Sequence, residues 1–394
     1  MPDVTVDADR SALKPRRWFE ASLWHGMGLA AWLRLLARNR GAVSPSRLGL
    51  AASISASAAV NSLLGTWQRV AHGRRIAATP IAPAPTFIVG HWRTGTTLLH
   101  ELLALDPANR CPTTYESLSP CHFLVSDRWL RPALAAALPK TRPMDAMRVS
   151  FDLPQEDEVA LALLGCPSTF LSVAFPDRPP QDPESLALDG LAPAALARWE
   201  ATWLAFLKAL LVRRPGRLVL KSPQHTFRVP HILRLFPEAR FIYLVRDPFA
   251  VFPSTVHFWA SMAGAHALQA RPPADLEETV LETFRRMHDR FEATRSLIPA
   301  GRLVELRYED LAADPAAAIR AVYAGCGWPD VEAVLPAVAR YAKRTRSYRP
   351  NEFPTLPPAR VAAIRDRWRP YFLRHGYPLE AAAGREAPAP ALQP

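Results

Sequence analysis

Residues 86–99 read Thr-Phe-Ile-Val-Gly-His-Trp-Arg-Thr-Gly-Thr-Thr-Leu-Leu, an apolar run that breaks into a Gly and Thr loop before an apolar helix start. A short buried strand running into such a loop is the beginning of a phosphate-cradling α/β unit. Gly90 and Gly95 sit at the required spacing and Thr97 stands where the hydroxyl residue belongs, but Thr96 occupies the lysine position. That lysine reaches the β- and γ-phosphates and the next hydroxyl holds Mg²⁺, so this chain is poorly built to transfer a γ-phosphoryl group. What remains is an anion cradle. The first N–H groups of the helix lack internal partners, the helix dipole is positive at that end, and Arg93 with the Thr94, Thr96 and Thr97 hydroxyls adds further donors.

Working outward, the same strand and helix alternation continues. Arg217–Leu220 reads as a strand ending at Lys221, Phe227–Phe236 as a helix, Arg240–Val245 as a strand and Asp275–Leu297 as a charged helix. Leu303–Arg307 follows as a strand and Leu311–Cys326 as a helix with Pro315 in its first turns. Such a succession predicts a P-loop-type three-layer α/β fold with a central parallel sheet. Residues 1–80 read as an N-terminal helical extension and 81–350 as the α/β domain. Within that domain, 106–216 is a mostly helical segment expected to hold the acceptor pocket. Residues 351–394 read as a C-terminal helix and a tail, disordered over Ala387–Pro394.

The second informative stretch, residues 241–254, is Phe-Ile-Tyr-Leu-Val-Arg-Asp-Pro-Phe-Ala-Val-Phe-Pro-Ser. Arg246 leaves a strand end and Ser254 follows eight residues later in the next helix, so both can converge on one phosphate. With this second loop the chain resembles the sulfotransferases that use 3′-phosphoadenosine-5′-phosphosulfate (PAPS), over about residues 86–350. The resemblance implies that Arg93, Thr94, Gly95, Thr96 and Thr97 hold the 5′-phosphosulfate and that Arg246 and Ser254 hold the 3′-phosphate. It also places Tyr308, in Tyr308–Leu311, near the adenine. It is to the bacterial branch in particular, which has arginine before the hydroxyl-Gly-Thr-Thr run. A Gly-x-x-Gly-x-x-Lys element often found late in the family is missing; Lys343, Arg344, Arg346 and Tyr348 form a basic and aromatic stretch that could fold over the 3′-phosphate instead.

Sulfuryl transfer needs no metal bridge, and charge building on the leaving phosphate would meet Arg93 and the helix N-terminus. Lys221, in Leu-Lys-Ser-Pro-Gln-His, stands where similar proteins place a donor beside the sulfate. The acceptor needs a base, and His225 is placed ahead of Glu156, which belongs to the acidic run Gln155-Glu156-Asp157-Glu158 and could supply a carboxylate or orient the histidine. The acceptor is a small molecule, lipid or carbohydrate, with Trp129, Phe151, Phe170, Phe175, Trp199, Trp203, Phe258 and Trp259 as apolar surface for it. The competing readings are a P-loop nucleotide kinase or other NTPase, and a non-catalytic basic protein binding membranes or glycans.

The net charge is +12, but only five of the 48 basic residues are lysine and the arginines are scattered, which does not describe a nucleic-acid face. Four widely spaced cysteines without a Cys-x-x-Cys pair read as reduced thiols. No secretory leader is evident, so the expected address is cytoplasmic. Leu48–Trp67 is uncharged and as long as a membrane span, but its serines, Asn61 and Thr66 favour a packed helix. Trp18–Arg38 reads as helical, and its tryptophans beside basic residues suggest peripheral contact with the inner membrane face.

Overall fold

The computed structural model describes residues 21–135, 149–345, 351 and 353–381; Trp18, Arg346, Tyr348 and Ala387–Pro394 lie outside them. Strands β1 (Thr86–Val89), β2 (Asn109–Arg110), β3 (Arg217–Lys221), β4 (Arg240–Val245) and β5 (Leu303–Arg307) form one parallel sheet in the order β2-β3-β1-β4-β5. Phe87 pairs with Leu220 on one side and Phe241 on the other. Because the strands are parallel, the segments after β1, β3, β4 and β5 all emerge at one edge, where open α/β sheets bind ligands.

Side chains alternate across the sheet, as the two-residue period of a strand requires. Phe87, Val89, Leu220, Phe241 and Tyr243 pack against the Pro193–Arg213 and Leu276–Thr294 helices and against Trp368 and Phe372 of the C-terminal helices. Ile88, Val219, Ile242 and Leu244 face the opposite layer. There, α3 (Thr96–Leu103) contributes Leu99 and Leu102, and the helices after β5 contribute Ile319, Val322 and Val338. Residues buried on both faces explain why β1, β3 and β4 read as continuous apolar runs.

The sequence expectations need four adjustments. β2 is only two residues long, too short to leave a pattern. The helix expected over Phe227–Phe236 is a 3₁₀ turn, Pro223–Phe227, followed by Val229–Leu235. The helix expected over Leu311–Cys326 is broken at Asp314, whose carboxylate accepts the Ala317 N–H at 2.9 Å and caps a new helix with Pro315 at its first position. Among described residues, the Trp18–Arg38 pattern resolves into a 3₁₀ turn, Leu23–Gly26, and α1 (Leu29–Arg38). Trp24 and Trp32 are buried: Trp24 Nε1 donates to the His266 carbonyl at 2.6 Å and Trp32 Nε1 to Ser55 Oγ at 2.8 Å.

The long helix α2 (Leu48–Ala78) buries Leu50, Ile54, Ala58, Asn61, Gly65 and Gln68, a single helical stripe. Asn61, Gln68, Ser55 and Ser62 are turned to the protein. Asn61 donates to the carbonyls of His25 and Met27, Ser62 Oγ accepts the Leu29 N–H and Ser55 accepts Trp32. Ser57 and Thr66 bond carbonyls of their own helix. The polar residues that make this segment look unlike a lipid-facing helix thus serve its inner contacts or its own backbone.

Two fully buried histidines flank the first loop. Burial pulls His91 down to about 3 despite its bond to the Trp92 carbonyl, and burial with the nearby Lys221 charge pulls His100 down to about 3. Both fold neutral, whereas the unfolded chain takes up their protons below the ordinary histidine value, so their contribution is complete above that value and is lost as pH falls toward 3. Together they should lower unfolding free energy by roughly 2 to 3 kcal/mol between about pH 7 and 5.5. Urea midpoints that coincide at those two pH values would contradict this.

Candidate active site

The loop after β1 is shaped by contacts that tolerate no side chain at its glycines. Gly90 has φ 139°, and a Cβ there would stand 2.5 Å from the Leu244 carbonyl oxygen; Gly95 has φ 93°, and a Cβ would meet the Tyr308 ring at 2.3 Å. The Gly90 N–H donates to Thr226 Oγ1 at 2.8 Å, tying the loop to the segment after β3. Thr94, fully buried, donates its hydroxyl to the His91 carbonyl at 2.7 Å and so braces the loop from within. Arg93 holds a left-handed backbone, φ 69°, a conformation that is costly for a residue with a side chain and is concentrated at functional sites. Thr96 and Thr97 begin α3, with Gly95 at its N-cap.

The residues expected at the 3′-phosphate gather beside this loop. Arg93 Nε donates to Ser254 Oγ at 2.9 Å, Arg246 Nη1 donates to the Arg93 carbonyl at 2.9 Å, and the Arg246 guanidinium lies 4.0 Å over the Tyr308 ring. Tyr371, from the Arg369–His375 helix, fixes Arg246 at the backbone. Its hydroxyl accepts the Arg246 N–H at 3.1 Å and donates to the Arg246 carbonyl at 3.3 Å. Sequence reasoning missed Tyr371, since nothing in a short C-terminal helix marks it as a partner of a loop after β4.

On the other side, three successive carboxylates meet three cationic or basic residues in order. Glu156 Oε1 accepts from Lys221 Nζ at 2.6 Å, Asp157 binds His225 Nε2 at 3.0 Å through both oxygens, and Glu158 Oε2 accepts from Arg228 Nη1 at 2.5 Å. The carboxylates begin the Asp157–Leu163 helix, and their partners follow one another from the end of β3. Lys221 Nζ also stands 3.4 Å from Thr97 Oγ1, which brings the Glu156 pair to the N-terminus of α3.

The environments of the two base candidates differ sharply. His225 is completely buried, its Nε2 occupied by Asp157 and its ring packed against Phe87 and Trp203 at 5.3 and 5.5 Å. Burial pushes the Asp157 carboxyl up, but His225, Ser222 and Trp203 together outweigh it and hold the group at about 2. Asp157 is therefore ionised and fixes the imidazole. Glu156 keeps a second oxygen, Oε2, that is buried and has no hydrogen-bond partner. The acidic run was expected from sequence to supply a carboxylate or orient the histidine, and Asp157 is the member that meets His225. Arg228 was not singled out, although the acidic triplet is matched by basic residues spaced four and three apart.

The aromatic residues divide. Trp199, Trp203 and Phe175 are closed into cores and Phe151 is nearly so, while Trp129 lies on the surface. Phe258 and Trp259 adjoin the loop instead. Trp259 contacts Trp92 at 5.4 Å and Phe170 at 5.7 Å, and Arg93 lies 6.0 Å over Phe258. Lys343 and Arg344 border a groove with Leu105, past the C-terminal end of α3, so the described part of that basic stretch is not at the loop. Among described residues, His288, Glu292 and His375 have ligand atoms within 4.8 Å of one another, but Arg295 and Arg374 stand 3.2 and 3.5 Å from the Glu292 carboxylate and oppose a cation there.

Residues 85–332 match the profile of the sulfotransferase family. The chain is 41% identical over 388 residues to the omega-hydroxy-beta-dihydromenaquinone-9 sulfotransferase Stf3 of Mycobacterium bovis and, equally, to that of Mycobacterium tuberculosis, covering 98% of this chain and of each relative. Among solved structures it is similar to sulfotransferase STF9 from Mycobacterium avium, with TM-score 0.66, 19% identity and coverage of 87% of this chain and 91% of that one. It is also similar to STF1 from Mycobacterium tuberculosis, with TM-score 0.55, 18% identity and coverage of 89% and 93%. At these identities the structural likeness speaks for the fold.

Proposed function

Because this chain belongs to the sulfotransferase family and is an enzyme of sulfuryl transfer, we propose that it uses PAPS as donor, a hydroxyl at the end of an apolar lipid as acceptor, and Glu156 as base. PAPS, when bound, supplies the activated sulfuryl group and leaves as the bisphosphate. The chain fits such a donor: two glycines whose backbone lies too close to Leu244 and Tyr308 for any side chain, a strained Arg93 between them, and the Arg246 and Ser254 pair beside it. Thr96, Thr97 and the helix N-terminus bind the 5′ side, with Arg93 and Lys221 set against charge that develops there. Arg246 and Ser254 bind the 3′-phosphate, and Tyr308 packs beside them.

The observation that carries the reading is this convergence of an anion cradle and a carboxylate–ammonium pair at one helix N-terminus. Glu156 Oε2 and His225 Nδ1 are both buried without a hydrogen-bond partner. Glu156, however, is tied to the loop helix through Lys221, which stands 3.4 Å from Thr97 Oγ1, whereas the His225 ring is held by Asp157 and packed against Phe87 and Trp203. The geometry therefore favours Glu156 over the histidine that the sequence alone put first, with His225 and Asp157 positioning the segment. The lipid acceptor is supported by the name of the 41% identical relative, which states a menaquinone derivative, and by the half-buried Phe258 and Trp259 beside the loop.

A thermal-shift titration tests the donor. Without metal, 3′,5′-adenosine bisphosphate at about 100 times its Kd should stabilise the fold by about 2.7 kcal/mol, while ADP and Mg²⁺-ATP should do far less. Arg246→Ala should weaken bisphosphate binding about 30-fold or more, the consequence of losing one charged partner of a phosphate. Unchanged affinity in that variant would remove Arg246 from the site, and stabilisation by Mg²⁺-ATP alone would overturn the donor assignment.

A further inference from the structure

We propose that the outer face of α2 rests on an anionic phospholipid surface, making the enzyme a peripheral membrane protein. The proposal stands on the surface of the helix and does not depend on which acceptor the site takes. Val60, Leu63, Trp67 and Val70 are exposed to 52, 73, 51 and 82%. At 100° per residue they fall within an arc of about 80° and form one stripe. Ala52, Ala56 and Ala59 are exposed on the same side and extend it toward the start of the helix. From Ala52 to Val70 the face is about 27 Å long. The stripe is apolar because the helix spends its serines and Asn61 on inner and backbone contacts, and a contiguous apolar surface of this kind marks an interaction site.

Charge identifies the partner. Residues 21–100 contain eight arginines and neither Asp nor Glu. Arg69 and Arg74 are exposed near the C-terminal end of the stripe, and Arg34 and Arg40 are exposed on and just after α1, which packs on α2. An apolar stripe with basic flanks and an amphipathic Trp is the composition that lies in the headgroup region of an anionic bilayer. A second copy of this chain would bring the same positive field against itself. The helix lies flat and does not span, because Asn61 and Gln68 on its inner face are hydrogen-bonded to the protein, Gln68 through the Leu124 N–H at 2.8 Å.

The test is co-sedimentation of the full chain with vesicles of phosphatidylcholine alone and of phosphatidylcholine with phosphatidylglycerol, at low and high salt. Binding should favour the anionic vesicles, weaken with salt, and fall about tenfold or more in Leu63→Glu/Trp67→Glu/Val70→Glu. That variant should keep the bisphosphate-induced thermal shift, which reports an intact fold separately from lipid binding. No binding to anionic vesicles, equal binding to neutral ones, or equal binding by the variant overturns the proposal. So does a concentration-dependent dimer in sedimentation velocity that the triple substitution abolishes, which would assign the stripe to a second copy.

Discussion

Glu156→Gln is expected to lower kcat by about 10²- to 10⁴-fold, the range supplied by a positioned general base, while bisphosphate affinity changes little. Glutamine keeps the shape of the side chain and an oxygen for Lys221, so the loss isolates the proton acceptor. His225→Gln should reduce turnover less, because the ring is held by Asp157 at 3.0 Å and closed between Phe87 and Trp203, whereas Glu156 is tied through Lys221 to the loop helix. Rates from single-turnover transfer, with bisphosphate thermal shifts as the control for folding, separate the two. If Glu156→Gln retains turnover and His225→Gln abolishes it with the fold intact, the base is the histidine after all.

Glu158→Ala should cost about 3 to 5 kcal/mol of stability, because it leaves the Arg228 guanidinium buried without its carboxylate. Arg228 is 1% exposed and reaches both Glu158 oxygens, at 2.5 and 3.1 Å, and the carbonyls of Ser185 and Leu186. Set against a total of about 5 to 15 kcal/mol for a folded domain, this is a large fraction. Replacing both partners, Arg228→Met with Glu158→Leu, should recover most of the loss, since the pair's attraction largely offsets its desolvation. Recovery will be incomplete, because the Ser185 and Leu186 carbonyls lose their donor. Urea unfolding of the single and double variants measures this, and a double variant no better than Glu158→Ala would show that the pair itself stabilises the fold.

The sequence is most readable where one physical demand acts on many neighbouring residues. β1, β3 and β4 declare themselves because both faces of each are buried, and the first loop because Gly90 and Gly95 must avoid Leu244 and Tyr308. Arg93, Arg246, Ser254 and Tyr308 were all identifiable before any coordinates, and they meet in the fold. Which carboxylate of the acidic run meets His225 was not readable, because Asp157 lies 68 residues away in sequence. The faces of α2 were hidden for a related reason: composition counts its serines equally, whereas the fold turns them inward or onto the helix backbone. Trp199 and Trp203 illustrate the converse, since large aromatics suit a binding wall and a core equally well and only packing assigns them.

The bond from Tyr371 to Arg246 has a consequence for biosynthesis. All five strands leave the ribosome before Tyr371 does, since β5 ends at Arg307. A nascent chain can therefore pair its strands and form its first loop while Arg246, the residue proposed for the 3′-phosphate, is still untied. Arg246 is thus fixed only once the C-terminal helices have docked, and a chain cut short before them would lack both the hydroxyl that ties Arg246 and the Trp368 and Phe372 side chains that cover one face of the sheet.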